Sequence, residues 1–170
     1  MKLSWKVFLS TLIITILTFS IGGYFLISAV FQSAFNRESS SALEENKMLR
    51  SYFGAVIPTA TSEAQSKVAM INISESIIAH FTNDKLSIRI SDDVQNIIAQ
   101  SDDENFDMNL LKKQLEDNSL LYKTMEYNGS YYIQTASVIE TFSGKVYLET
   151  IHDISSIFTD RQNLFSFYRK

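Results

Sequence analysis

The segment LLYKTMEYNGSYYIQTASVIE, residues 120–140, decides the fold. It holds two runs of β-branched and aromatic residues, with Asn128-Gly129 between them. A two-residue type I′ turn needs positive φ twice, and Asn-Gly meets that need best, so the spacing predicts an antiparallel hairpin. Counting outward from the turn puts Tyr122 opposite Thr135 and Thr124 opposite Ile133.

A third run, KVYLETIHD, follows Ser143-Gly144. If that pair makes a two-residue turn, Ser137 faces Thr150 and Thr135 faces His152. Alternation then gathers Tyr122, Thr124, Thr135, Ser137, Thr150 and His152 on one face, beside Tyr131, Ile133, Ile139 and Leu148. Small hydroxyls, an aromatic ring and an imidazole suit a modest polar-ligand pocket, and Tyr122, Thr135, Ser137, Thr150 and His152 are its candidate residues. The other reading is a partly covered sheet face with no ligand, since threonine and tyrosine favour strands anyway.

Upstream, KLSIRISDD alternates Leu86, Ile88 and Ile90 with Lys85, Ser87 and Arg89, which predicts a half-buried strand. VQNIIAQS is the second strand, and DMNLLKKQLE a short helix capped by Asp107. Before these the period is helical. One helix runs from about Thr61 to His80, with Thr61 or Ser62 as N-cap and Ala64, Val68, Ile71, Ile78 and Phe81 on one face. Ahead of it, positions 35, 39, 42, 46, 49, 53 and 56 hold Phe, Ser, Ala, Asn, Leu, Phe and Val in steps of four and three. This heptad seam is read two ways: a homodimer contact through Phe35, Ala42, Asn46, Leu49 and Phe53, or one helix face on the chain's own core. The last segment, from Ile154, returns to helical spacing through Ile157, Phe158, Leu164, Phe165 and Tyr168. The fold class is α+β: long helices on a five-stranded antiparallel sheet.

From Val7 to Phe31 the chain carries no charge. A bilayer needs roughly 20 apolar residues as a helix, so this stretch is long enough to span with some tilt. It is also longer than the apolar core of a cleaved leader, which runs about 7–15 residues. Lys2 and Lys6 precede it and Arg37 and Glu38 follow, so the positive-inside rule puts the N-terminus in the cytoplasm. The division is a cytoplasmic tail over 1–6, a membrane helix over 7–31, an extracytoplasmic domain over 32–153 and a juxtamembrane helix over 154–170.

Beyond the span, 13 basic residues face 19 acidic ones, a net charge of −6 with no basic stripe, which argues against nucleic-acid binding. The chain has no cysteine and two histidines, so disulfide frameworks and thiolate metal sites are excluded. It has no nucleophile elbow, phosphate loop or zinc-helix motif, and no enzyme activity or cofactor is expected of these residues. His80 sits at a helix end, where it suits the dipole. In SDDENFDMN, Asp103, Asn105 and Asp107 match the first ligands of a calcium loop. Met108 stands where glycine is needed and Gln114 where glutamate is needed, so a solvated loop is the better reading and no metal is expected.

Three stretches together carry a family resemblance: KVFLSTLIITILTFSIGGYFL at the front, ENKMLRSYF in the first exported helix, and ETIHDISSIFTDRQNLFSFYRK at the end. The arrangement resembles the extracytoplasmic PAS-like input region, of PDC or single-Cache type, of clostridial-type bacterial membrane sensor histidine kinases. The resemblance implies a signal-sensing region that passes binding of a small molecule or protein to its membrane helices, with the transmitter domains downstream of a second span. Amino-acid-binding Cache domains carry an arginine–tryptophan–tyrosine and aspartate signature. Here the single tryptophan is Trp5, before the span, so an amino-acid ligand is not implied. The alternatives are a membrane-anchored surface binding protein and a chemoreceptor ectodomain.

Overall fold

The computed structural model describes residues 3–56, 62–92, 96–101, 115, 120–141 and 144–168. Among these the chain forms α1 (Leu3–Val56), α2 (Glu63–Phe81), β1 (Leu86–Asp92), β2 (Ile97–Gln100), β3 (Leu120–Tyr127), β4 (Ser130–Thr141), β5 (Gly144–Asp153) and α3 (Ser155–Tyr168). The class is α+β. The expected short helix at 107–116 and the acidic loop before it lie outside the described residues. Two compact units result: one holds α1 as far as Arg37 together with α3 from Ser156, the other runs from Glu38 to Ser155.

In the second unit the five strands are antiparallel, in the order β2-β1-β5-β4-β3. The β3–β4 hairpin turns at Asn128 and Gly129, whose φ angles of 50° and 80° are both left-handed. Its register pairs Tyr122 with Thr135 and Thr124 with Ile133, as the turn type requires. The β4–β5 pair sits two residues from the expected register: Thr135 faces Thr150 and Ser137 faces Leu148. Thr141 pairs with Gly144, so Gly144 belongs to the strand rather than to the turn. Ser143 lies outside the described residues. Because side chains alternate with period two, a shift of two leaves each residue on its expected face.

One sheet face carries Leu86, Ile88 and Ile90 of β1, Val146 and Leu148 of β5, and Ile139 of β4. It packs against Leu49 and Phe53 of α1 and Met70, Ile73 and Ile77 of α2. Ser62 caps α2, accepting from the Gln65 amide at 3.3 Å. The buried face of α2 is Ser66, Met70, Ile73, Ser74 and Ile77. The expected face fails at its centre: Val68 is 59% exposed and Ile71 45%. Two apolar stripes share this helix, and the stripe interleaved with small serines is the one that meets the sheet. The expected second strand is confined to Ile97–Gln100, and Ser101 closes its end by accepting from the Ile88 amide and donating to the Ile88 carbonyl. The opposite sheet face is also covered in part: Ser91, Gln134, Ala136, Val138, Glu149 and Ile151 are buried.

In the first unit, α3 runs antiparallel to α1. Phe158 meets Phe31 edge-on at 5.1 Å between centroids, and Phe165 meets Tyr24 at 5.8 Å. The numbers fall on α1 as they rise on α3. Along α1, Phe8, Ile14, Phe19 and Leu26 are exposed among the described residues. Thr11, Thr15, Thr18 and Ser20 each donate to the carbonyl four residues back, at 2.8–2.9 Å. Hydroxyls satisfied within the helix are compatible with hydrocarbon. α1 is long and apolar enough to cross a membrane.

Candidate functional site

Where α1 lies on the sheet it brings polar as well as apolar side chains. Asn46, fully buried, donates from Nδ2 to Thr135 Oγ1 at 2.8 Å, with a longer contact of 3.5 Å to the Leu148 carbonyl. Thr135 Oγ1 shares a 2.6 Å hydrogen bond with Thr150 Oγ1, directly across the β4–β5 ladder. Glu45, next to Asn46 on α1, and Glu38, about two turns nearer its N-terminus, add carboxylates. His152 sits between them, with Nδ1 3.5 Å from Glu45 Oε2 and Nε2 3.7 Å from Glu38 Oε2. A neutral imidazole can donate to only one of these carboxylates, whereas an imidazolium can donate to both. The carboxylates flank opposite ring nitrogens, so no single metal ion could take both with the ring.

This seam is under-satisfied. Ser39 Oγ, Asn46 Oδ1, Ser137 Oγ and His152 Nδ1 are all buried and find no hydrogen-bond partner among the described residues. Buried polar atoms are normally paired, and each exception costs about 1–3 kcal/mol. Further along the same helix, Leu49 and Phe53 are fully enclosed. The docking of α1 therefore changes along its length, from polar at Glu38–Asn46 to apolar at Leu49–Phe53.

Of the five candidate ligand residues, the structure brings four together: Thr135, Ser137 and Thr150, buried beneath α1, and His152 at the same face's end. Tyr122 pairs with Thr135 across the β3–β4 ladder, but its side chain is 53% exposed on the edge strand β3. The seam positions Ala42, Asn46, Leu49 and Phe53 are buried against this same sheet, which is the own-core reading of the heptad, while Phe35 stacks on Phe31 at 6.2 Å. Sequence reasoning missed Glu38, Glu45 and the pairing of Asn46 with Thr135. A polar residue in an apolar seam signals that it needs a partner, but it does not say which strand supplies one.

Also missed was the opposite sheet face. There Arg89 Nε meets Glu149 Oε2 at 3.0 Å, with the Glu149 side chain fully buried. Nearby on that face Gln134 is buried, and its Nε2 makes no hydrogen bond. Arg89 looked like the solvent half of an alternating strand, and nothing local revealed that both faces would be covered.

No protein-family model matches this chain, and no curated protein matches it significantly.

Proposed function

We propose that this chain is the extracytoplasmic PAS-like input region of a bacterial membrane sensor histidine kinase. It passes the binding of a small molecule or a protein to its membrane helices, with α3 as the juxtamembrane output helix and the N-terminus in the cytoplasm. The observation that carries the reading is the continuity of α1 from Leu3 to Val56. The helix that is apolar enough to span a bilayer is the same helix that docks on the sheet through Asn46, Glu45 and Glu38. A five-stranded antiparallel sheet with long helices on one face also accords with the resemblance.

The seam supplies the switching element because its polar atoms are incompletely paired. A second packing of α1 that pairs these atoms would recover part of that cost. A ligand or partner preferring one packing shifts the population by no more than its differential affinity for the two. A homodimer seam through Ala42, Asn46, Leu49 and Phe53 is not part of this proposal, since those side chains are enclosed by their own sheet.

The test is a fusion of this chain, after Lys170, to the second membrane span and transmitter of a sensor kinase, which returns the transmitter to the cytoplasm. Seam substitutions such as Thr135→Val and His152→Gln are expected to reset basal autophosphorylation while the protein stays folded and membrane-inserted. Unchanged output across folded seam variants would defeat the sensor reading and favour an anchored binding protein.

A further inference from the structure

The aromatic residues of α1 mark a membrane boundary. Trp5 and Tyr24 are 19 residues apart, which is about 28 Å along a helix, close to the ~30 Å hydrocarbon thickness. Tryptophan and tyrosine settle at the two interfaces of a bilayer. With Trp5 at the inner boundary and Tyr24 at the outer, the turns of α1 from Ile27 to Phe31 lie at the outer headgroups.

Arg161 of α3 is held at that level. Phe165 packs against Tyr24 with the rings tilted, and Arg161 is one turn further from the boundary. Its guanidinium carbon lies 4.6 Å from the Phe31 ring centroid and 5.6 Å from that of Phe165. Cation–π contacts engage the face of the guanidinium and leave its N–H groups, which point outward in the plane, for an acceptor. Among the described residues nothing accepts from its buried Nε, which leaves the two terminal nitrogens of the guanidinium as the fork for an outside acceptor. Beside it on α3, Phe167 is 80% exposed and Leu164 is also exposed, apolar side chains suited to acyl chains rather than water.

We infer that Arg161, braced by Phe31 and Phe165, holds the phosphodiester of an anionic phospholipid at the outer membrane surface. The planar N–H fork matches two phosphate oxygens, and Leu164 and Phe167 contact the lipid's tails. This rests on the membrane reading of α1. The lipid then acts as a further ligand, tying α3 to α1 at the boundary where a signal would leave the domain.

The experiment uses the full chain in neutral detergent, with native mass spectrometry counting retained dioleoyl phosphatidylglycerol against dioleoyl phosphatidylcholine. Wild type is expected to retain the anionic lipid in preference. Arg161→Ala should weaken that retention about tenfold or more, and Arg161→Lys, which keeps the charge without the fork, by less. Lys123→Ala, a charge removed from the exposed face of β3, should change nothing. Equal loss in Arg161→Ala and Lys123→Ala, or no loss in either, overturns the site. Displacement of the lipid by millimolar inorganic phosphate overturns the lipid assignment in favour of a soluble anion. Should Arg161→Ala misfold by circular dichroism, Arg161→Gln and Arg161→Lys carry the comparison. Flotation with phosphatidylcholine vesicles separates the two claims. A chain that floats but shows no dependence on Arg161 loses only this site, whereas a chain that fails to float loses the membrane reading.

Discussion

Replacing Thr135 by valine tests the seam with almost no change of shape. Valine fills the same volume, so no cavity opens and the effect comes from the hydroxyl alone. That hydroxyl accepts from Asn46 at 2.8 Å and is bonded to Thr150 at 2.6 Å, in a place with no solvent access. Its loss leaves the Asn46 amide with only the 3.5 Å contact to Leu148, and leaves the Thr150 hydroxyl without its cross-strand partner. Each stranded buried group costs about 1–3 kcal/mol. The added methyl returns about 0.8 kcal/mol. The net expectation is a loss of about 3 kcal/mol, or roughly 6–12 °C in Tm for a chain of this size. Adding Thr150→Val removes one stranded group and should recover about 1–2 kcal/mol, because replacing both partners is less costly than replacing one. The assay is thermal and urea unfolding of the full chain in detergent, followed by far-ultraviolet circular dichroism. A Thr135→Val variant within about 0.5 kcal/mol of wild type, the range of ordinary surface changes, would refute the reasoning. A second valine that made matters worse would also do so.

Three further outcomes follow from other parts of the structure. Phe53→Ala should cost about 3–5 kcal/mol, since Phe53 is fully buried in the helix–sheet core; a loss below about 1 kcal/mol would mean that α1 does not contribute there. Gly129→Ala should cost about 1–2 kcal/mol from backbone strain alone, because its φ is 80° and a Cβ there would meet nothing within 4 Å; hydrogen exchange at the β3–β4 turn should rise with it. Ile14→Arg places a charge in the middle of the apolar stretch and should oppose insertion by about 2.5–3.5 kcal/mol, read as a smaller fraction of chain resisting alkaline extraction from membranes.

How much of this could be read from the sequence depended on the range of each signal. The Asn128-Gly129 turn is local, and it carried the β3–β4 register to the residue. The turn after β4 had no such marker, so the expected register missed by two, although the alternation kept Thr135, Ser137, Thr150 and His152 on one face. Helical faces were harder. On α2 both stripes have helical spacing, and the choice between Val68–Ile71 and Met70–Ile73 is made by packing against strands far away in sequence. The continuity of α1 was also hidden: nothing between Phe31 and Phe35 breaks a helix, yet charge and composition change there enough to suggest two elements. In the candidate site, the hydroxyls were visible as an alternating set, whereas Asn46, Glu38 and Glu45 entered only once α1 was laid across the sheet. The ion pair of Arg89 with Glu149 required knowing that the second face is covered as well.

The claim at the centre of this account is that packing at the Asn46–Thr135 seam is coupled, through α1, to the α1–α3 contact at the membrane. The chain has no cysteine, so Tyr24→Cys and Phe165→Cys can be introduced as a single reporting pair in place of two rings that stand 5.8 Å apart. The decisive measurement is the disulfide cross-linking rate of this pair in phospholipid vesicles, compared between the parent protein and its Thr135→Val derivative, both shown to be folded and inserted. The account predicts a change of about twofold or more, because a seam change of a few kcal/mol exceeds what a twofold shift in a packing equilibrium requires. Identical rates in the two proteins would contradict it.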